Sequence, residues 1–107
     1  MRNIIGRFYF KIDEKGNLIG CFSNNLHLIN FSEYAHRITG NGFEGQFNST
    51  WTDDVGTFQA TLTIQLKLIS NDIYNLHWSN GAIQFWGEGF IVDNLLIGDY
   101  RNFDQIL

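Results

Sequence analysis

Residues Ile73 to Arg101 read as strand, turn, strand, turn, strand, with tight turns at Asn80-Gly81 and Asp93-Asn94. Asn, Gly and Asp tolerate the positive φ that a type I′ hairpin turn demands, so these pairs are strong hairpin signals. Once the turns are placed, the register follows. Across Asn80-Gly81, Trp78 is expected to face Ile83, Leu76 to face Phe85 and Tyr74 to face Gly87. Across Asp93-Asn94, Ile91 faces Leu96, Gly89 faces Gly98 and Gly87 faces Tyr100. All of these point inward, and a slip of either turn by one position is expected to exchange the inside with the outside.

The rest of the chain repeats the two-residue period. Phe58, Ala60, Leu62, Ile64, Leu66 and Leu68 share one face, and the polar residues between them share the other. A helix would smear that apolar set around its cylinder, so this is a half-buried strand. Phe43, Gly45, Phe47, Ser49 and Trp51 form a second inward set. Nearer the N-terminus, Asp13 to Gly16 turns a hairpin that sets Ile12 against Leu18, Phe10 against Gly20 and Phe8 against Phe22. A short strand spans Leu26 to Phe31, and Ser32 to Gly40 reads either as a strand or as one helical turn with Ser32 as N-cap.

Proline is absent, so nothing interrupts a sheet ladder. The expected fold is all-β: residues 1–107 as a single domain, an antiparallel up-and-down meander barrel of about eight strands. A barrel is favoured because closure removes the edges and encloses the inward residues together; a two-sheet β-sandwich is the alternative.

Two features of the last three strands bear on function. Gly87 is flanked on the inner face by Tyr74 and Tyr100, and the next pair is glycine on glycine. Either the glycines permit sharp coiling with rings laid over them, or the missing side chains leave a pocket. Trp51, Tyr74, Trp78, Phe85 and Tyr100 are the candidate ligand-binding residues of such a pocket, with Ser49, Asn102 or a bound molecule as partners for buried phenols. On the outer face Trp86, Phe90, Val92, Leu95 and Ile97 form an apolar stripe, a candidate subunit interface unless a bulge at Gly87 or Gly89 buries part of it. Glu88 and Asp99 oppose each other there and need Arg101 or Lys67 as a bridge.

Sites of other kinds find little support. His27, His36 and His77 show no metal-ligand spacing, and His77 is read as a surface histidine beside Gln84. Cys21, on the outer face with Tyr9, is read as structural, and Asp53-Asp54 as turn formers. No cofactor is expected, and catalysis by Glu88 or Asp99 rests on their proximity alone. A net charge of −4 with scattered Lys and Arg argues against a nucleic-acid backbone as partner. With one cysteine, no signal-like apolar segment and no membrane-length run, a soluble cytoplasmic protein is expected.

From Gly40 onward the chain resembles the calycin-like barrels, the broad group of lipocalins, fatty-acid-binding proteins and avidins. The resemblance lies in Gly45-Gln46-Phe47, the long alternating strand, Tyr74-x-Leu76-x-Trp78, Gly87-x-Gly89 and Leu96-Ile97-Gly98-Asp99-Tyr100. The lipocalin Gly-x-Trp start is replaced by Gly6-Arg7-Phe8, and no avidin ligand residues match. The resemblance implies a meander barrel whose mouth holds a small molecule. The leading expectation is therefore a non-enzymatic barrel for a small, partly apolar or aromatic ligand. The competing one is a structural module that self-associates as a homo-oligomer, a dimer first, through the Trp86 stripe.

Overall fold

Eight strands follow one another in the computed structural model, which describes residues 3–67 and 72–102 and, for Leu28, the backbone alone. They are β1 (Ile5–Ile12), β2 (Leu18–Asn24), β3 (His27–Arg37), β4 (Gly45–Thr52), β5 (Thr57–Leu66), β6 (Tyr74–Ser79), β7 (Gln84–Val92) and β8 (Leu95–Asn102). Each pairs antiparallel with the next, and β8 returns to β1 through Gly6↔Tyr100, Phe8↔Gly98 and Phe10↔Leu96. That last ladder makes a closed up-and-down barrel and rules out the sandwich. Among the described residues no helix is long and apolar enough to cross a membrane.

The period-two patterns place the core. Phe8, Phe10, Leu18, Phe47, Leu62, Ile64, Leu76 and Leu96 are buried, and the polar residues between them face out. The first hairpin has the expected register, Ile12↔Leu18 through Phe8↔Phe22. So has the last, Val92↔Leu95 through Gly87↔Tyr100, with Asp93 and Asn94 at φ 52° and 66°. Residues 32–37, open to two readings in the sequence, are strand and extend β3. Leu68, assigned by alternation to the β5 strand, lies outside the described residues.

The β6–β7 turn departs from expectation. Its central residues are Gly81 and Ala82, because Asn80 takes the first corner: its Oδ1 accepts hydrogen bonds from Ala82 N (3.2 Å) and Ile83 N (2.8 Å). Positive φ is then needed only at Gly81, where it is 91°, as in a type II′ turn. Trp78 consequently faces Phe85, not Ile83; Leu76 faces Gly87 and Tyr74 faces Gly89. Inside and outside do not trade places. Moving a hairpin turn by one residue changes the pairing by two, and two residues is a full period of the pleat.

The glycines of β7 and β8 leave no hole. A Cβ on Gly98 would collide with the Glu88 carbonyl, and one on Gly87 would meet Trp78 at 3.2 Å and Tyr100 at 3.3 Å. They allow close strand approach and tight coiling, with large neighbours filling the space.

Candidate functional site

The barrel is filled unevenly. At one end, below the β2–β3, β4–β5 and β6–β7 turns, the interior opens into a cavity of about 220 Å³. Every strand except β5 contributes to its wall: Phe8, Phe22 and Asn24, Glu33, Trp51, Trp78, Phe85 and Tyr100, with Leu26, Asp53 and Val55 at the mouth. The other end is packed by Phe10, Leu18, Phe43, Phe47, Ile64 and Leu96.

Four rings make a collar around this space. Trp51 meets Phe85 edge-on at 6.4 Å, Phe85 meets Tyr100 at 5.6 Å, Tyr100 meets Phe22 at 6.3 Å, and Phe22 returns to Trp51 at 6.4 Å. Edge-to-face contacts at such separations are favourable, so the collar holds its own shape. It comes from alternate positions on β2, β4, β7 and β8, all in the inward phase.

Against the collar lies a carboxyl group. Glu33 is 5% exposed and shares the inward phase of β3 with Phe31 and Ala35. Its Oε2 accepts from the indole Nε1 of Trp78 (2.7 Å) and from the Ser49 hydroxyl. Ser49 sits between Ala35 and Ala60 in the register, and this row of small side chains gives the carboxyl room. Neither donor is directed to Oε1. Both donors use Oε2, and Glu33 is one of the residues that line the cavity.

Burial pushes the Glu33 carboxyl up to about 7, against the smaller opposing pull of the Ser49 and Trp78 hydrogen bonds. Burial likewise pushes the Tyr100 phenol up to about 12; the Asn24 hydrogen bond opposes this, and the nearby Glu33 and Asp53 carboxylates add to it. Tyr100 therefore stays a phenol. Asn24 Nδ2 donates to its oxygen at 3.1 Å, taking the part proposed for Ser49 or Asn102. Ser49 serves Glu33 instead, and Asn102 Oδ1 accepts from the Ile4 backbone.

Of the five residues nominated from the sequence, Trp51, Trp78, Phe85 and Tyr100 come together at the cavity. Tyr74 does not: it packs against Phe43, 6.5 Å away, at the opposite end. Glu33 was missed. Its signal was an acidic residue two positions from Phe31 and from Ala35, legible only once residues 32–37 are known to be strand. The hairpin register puts Phe8 and Phe22 inward without placing them at the site.

The outer stripe is present without a bulge, since β7–β8 pairing runs unbroken. Trp86, Phe90 and Val92 are 45%, 50% and 40% exposed, while Leu95 and Ile97 are half-buried. His77 stacks on Trp86 at 3.8 Å, with its Nε2 2.9 Å from Gln84 Oε1. Glu88 opposes Asp99, and Lys67 bridges to Glu88 at 2.9 Å. Two troughs of about 730 and 870 Å³ are larger than the cavity and lie on the outer face of the barrel, both bordered by that acid pair. Among the described residues no group of three His, Cys, Asp or Glu could hold a metal ion.

Comparison with protein-family models, curated proteins and solved structures gave no match for this chain.

Proposed function

We propose that this chain is a non-enzymatic barrel that takes a small, partly apolar ligand into the cavity beside Glu33. One observation carries the reading: an otherwise filled barrel keeps a space walled by four mutually braced rings and lined by the carboxyl-bearing side chain of Glu33, which is 5% exposed. Burial of the ligand's apolar surface against Trp51, Phe85 and Tyr100 supplies the affinity, and polar contacts set its orientation. The volume lies below the roughly 300–1,000 Å³ of sites for drug-sized ligands, so the occupant is small. The calycin-like layout of the sequence supports a ligand in the mouth. Cytoplasmic residence belongs to the same reading, supported by the lone thiol of Cys21.

Tryptophan fluorescence tests it. With Trp86 replaced by Phe, the emission comes from Trp51 and Trp78 alone, both at the cavity. Titration with a panel of small metabolites should shift or quench that emission saturably. A panel covering acids, bases and neutral compounds that leaves both indoles unchanged defeats the proposal.

A second reading, self-association, is supported by the register. Phe90 lies beside Ile97, Ile97 beside Tyr9 and Tyr9 beside Cys21, so the apolar strip crosses four strands around the seam. Light scattering should then find a dimer that Trp86→Asp or Phe90→Asp converts to monomer. A wild-type monomer at all accessible concentrations removes this reading.

A further inference from the structure

We propose that the cavity selects a small ammonium ligand, an alkyl- or arylalkylamine, whose cationic head binds between Glu33 Oε1 and the aromatic collar. This deepens the binding function proposed above and rests on it. Three features of the wall point to this chemistry. Among the described residues no lysine or arginine lines the cavity, whereas Glu33 and Asp53 both do, so an anionic ligand such as a fatty acid would find no permanent positive charge there. Trp51, Phe22, Phe85 and Tyr100 surround one volume, and a ring that turns its face to that space attracts a cation within about 6 Å of its centroid. The third is the carboxyl itself: both protein donors use Oε2, leaving Oε1 for a ligand N–H.

A charge sunk among rings is costly unless paired, and among the described residues no cationic group pairs with Glu33. His27, also at the cavity wall, is engaged with Asp54 at 3.5 Å. The groups facing Glu33 from the neighbouring elements are Ser49 on β4, Trp78 on β6 and Tyr100 on β8, with His27 and Asp53 nearer the mouth. None is a permanent cation. An arriving ammonium supplies the missing charge, and its hydrocarbon part occupies the space toward Phe8 and Phe85.

The test compares three probes of nearly one shape: phenethylamine, 2-phenylethanol and phenylacetate, each extended by a series of shorter alkyl analogues. Affinities are read by calorimetry and by the indole N–H resonance of Trp78, which reports on the carboxylate it bonds. The amines should bind at least tenfold tighter than the matching alcohols, and the carboxylates weakest of all. Amine binding at pH 6 should release a proton from the Glu33 carboxyl, seen as a buffer-dependent heat that vanishes at pH 8.5. Glu33→Gln keeps the side chain's size and an acceptor for Trp78; it should cost the amines at least tenfold and the matching alcohols far less. Trp51→Leu, which removes a collar ring but no charge, should weaken amines more than alcohols. If amines and alcohols bind alike, or Glu33→Gln changes neither, the ammonium assignment is wrong while the cavity remains a binding site. If carboxylates bind best, it is likewise overturned. If no probe of any charge class moves the Trp78 resonance, the binding function falls with it.

Discussion

Taking a carboxylate out of water disfavours its charged form, and at Glu33 that cost is built into the folded state. The carboxyl titrates near 7 when folded and near its ordinary 4.5 when unfolded. Below about 4.5 both states hold the proton and folding is undisturbed. Between the two values the folded chain keeps a proton that the unfolded chain has released, so stability falls as pH rises; above about 7 the loss is complete. A shift of this size corresponds to on the order of 3 kcal/mol. Urea denaturation at pH 5 and pH 8.5 should show that loss in the wild type and most of it abolished in Glu33→Gln. Equal pH slopes in the two proteins would mean that Glu33 is not held in the folded state as described. The sequence did not disclose this residue. An acid in phase with Phe31 and Ala35 looks the same as one on a solvated face until the strand's extent is known. The four ring positions were legible because Trp51, Trp78, Phe85 and Tyr100 lie in strands whose phase the alternation already set.

At the scale of elements, turn chemistry decided most of the pairing and misplaced one hairpin without harm. Asp13 to Gly16 and Asp93-Asn94 produced the registers expected of them. At Asn80 the side chain competes with the backbone: its two acceptor bonds to Ala82 N and Ile83 N hold it at the corner, and Gly81 becomes the first central residue. The two placements predict opposite outcomes for one substitution. If Asn80 held a left-handed conformation, Asn80→Gly would relieve strain. Here it removes the acceptor, and a loss of about 1 kcal/mol is expected. Gly81→Ala should cost about 1–2 kcal/mol from φ alone, because open space surrounds that position. Thermal melts of both variants settle the centre of the turn: an Asn80→Gly protein more stable than wild type would return it to residues 80–81. Tyr74 shows what the two-residue shift did matter for. Moved along β7 from Gly87 to Gly89, it pairs one step farther from the cavity and packs with Phe43 instead.

Across the whole molecule, the two halves of the barrel interior serve different ends. One half is sealed by aliphatic and phenylalanine side chains with essentially no exposure, Leu62, Leu96 and Phe47 among them. The other is bounded by rings braced edge to face around a space, with polar groups inside it. Close packing contributes most where a deletion leaves a void that neighbours cannot collapse into, as in the sealed half. At the collar the space already exists, and a truncated ring adds to a volume that water or ligand reaches. Stability and recognition should therefore separate by position. Leu62→Ala, in a fully buried site beside Phe47 and Trp78, should cost about 2–5 kcal/mol in urea denaturation and leave ligand affinity nearly unchanged in the fraction that folds. Phe85→Ala, at a half-buried collar position, should cost less stability than Leu62→Ala but weaken binding of any ligand at least tenfold. Both quantities come from the same two proteins, by chemical denaturation and by titration of the Trp51 and Trp78 emission. If Phe85→Ala proves the more destabilising, the collar is part of the core and the open end is a packing defect. If Leu62→Ala alone disturbs ligand binding, the ligand reaches deeper than the collar, and the division between the two halves does not hold.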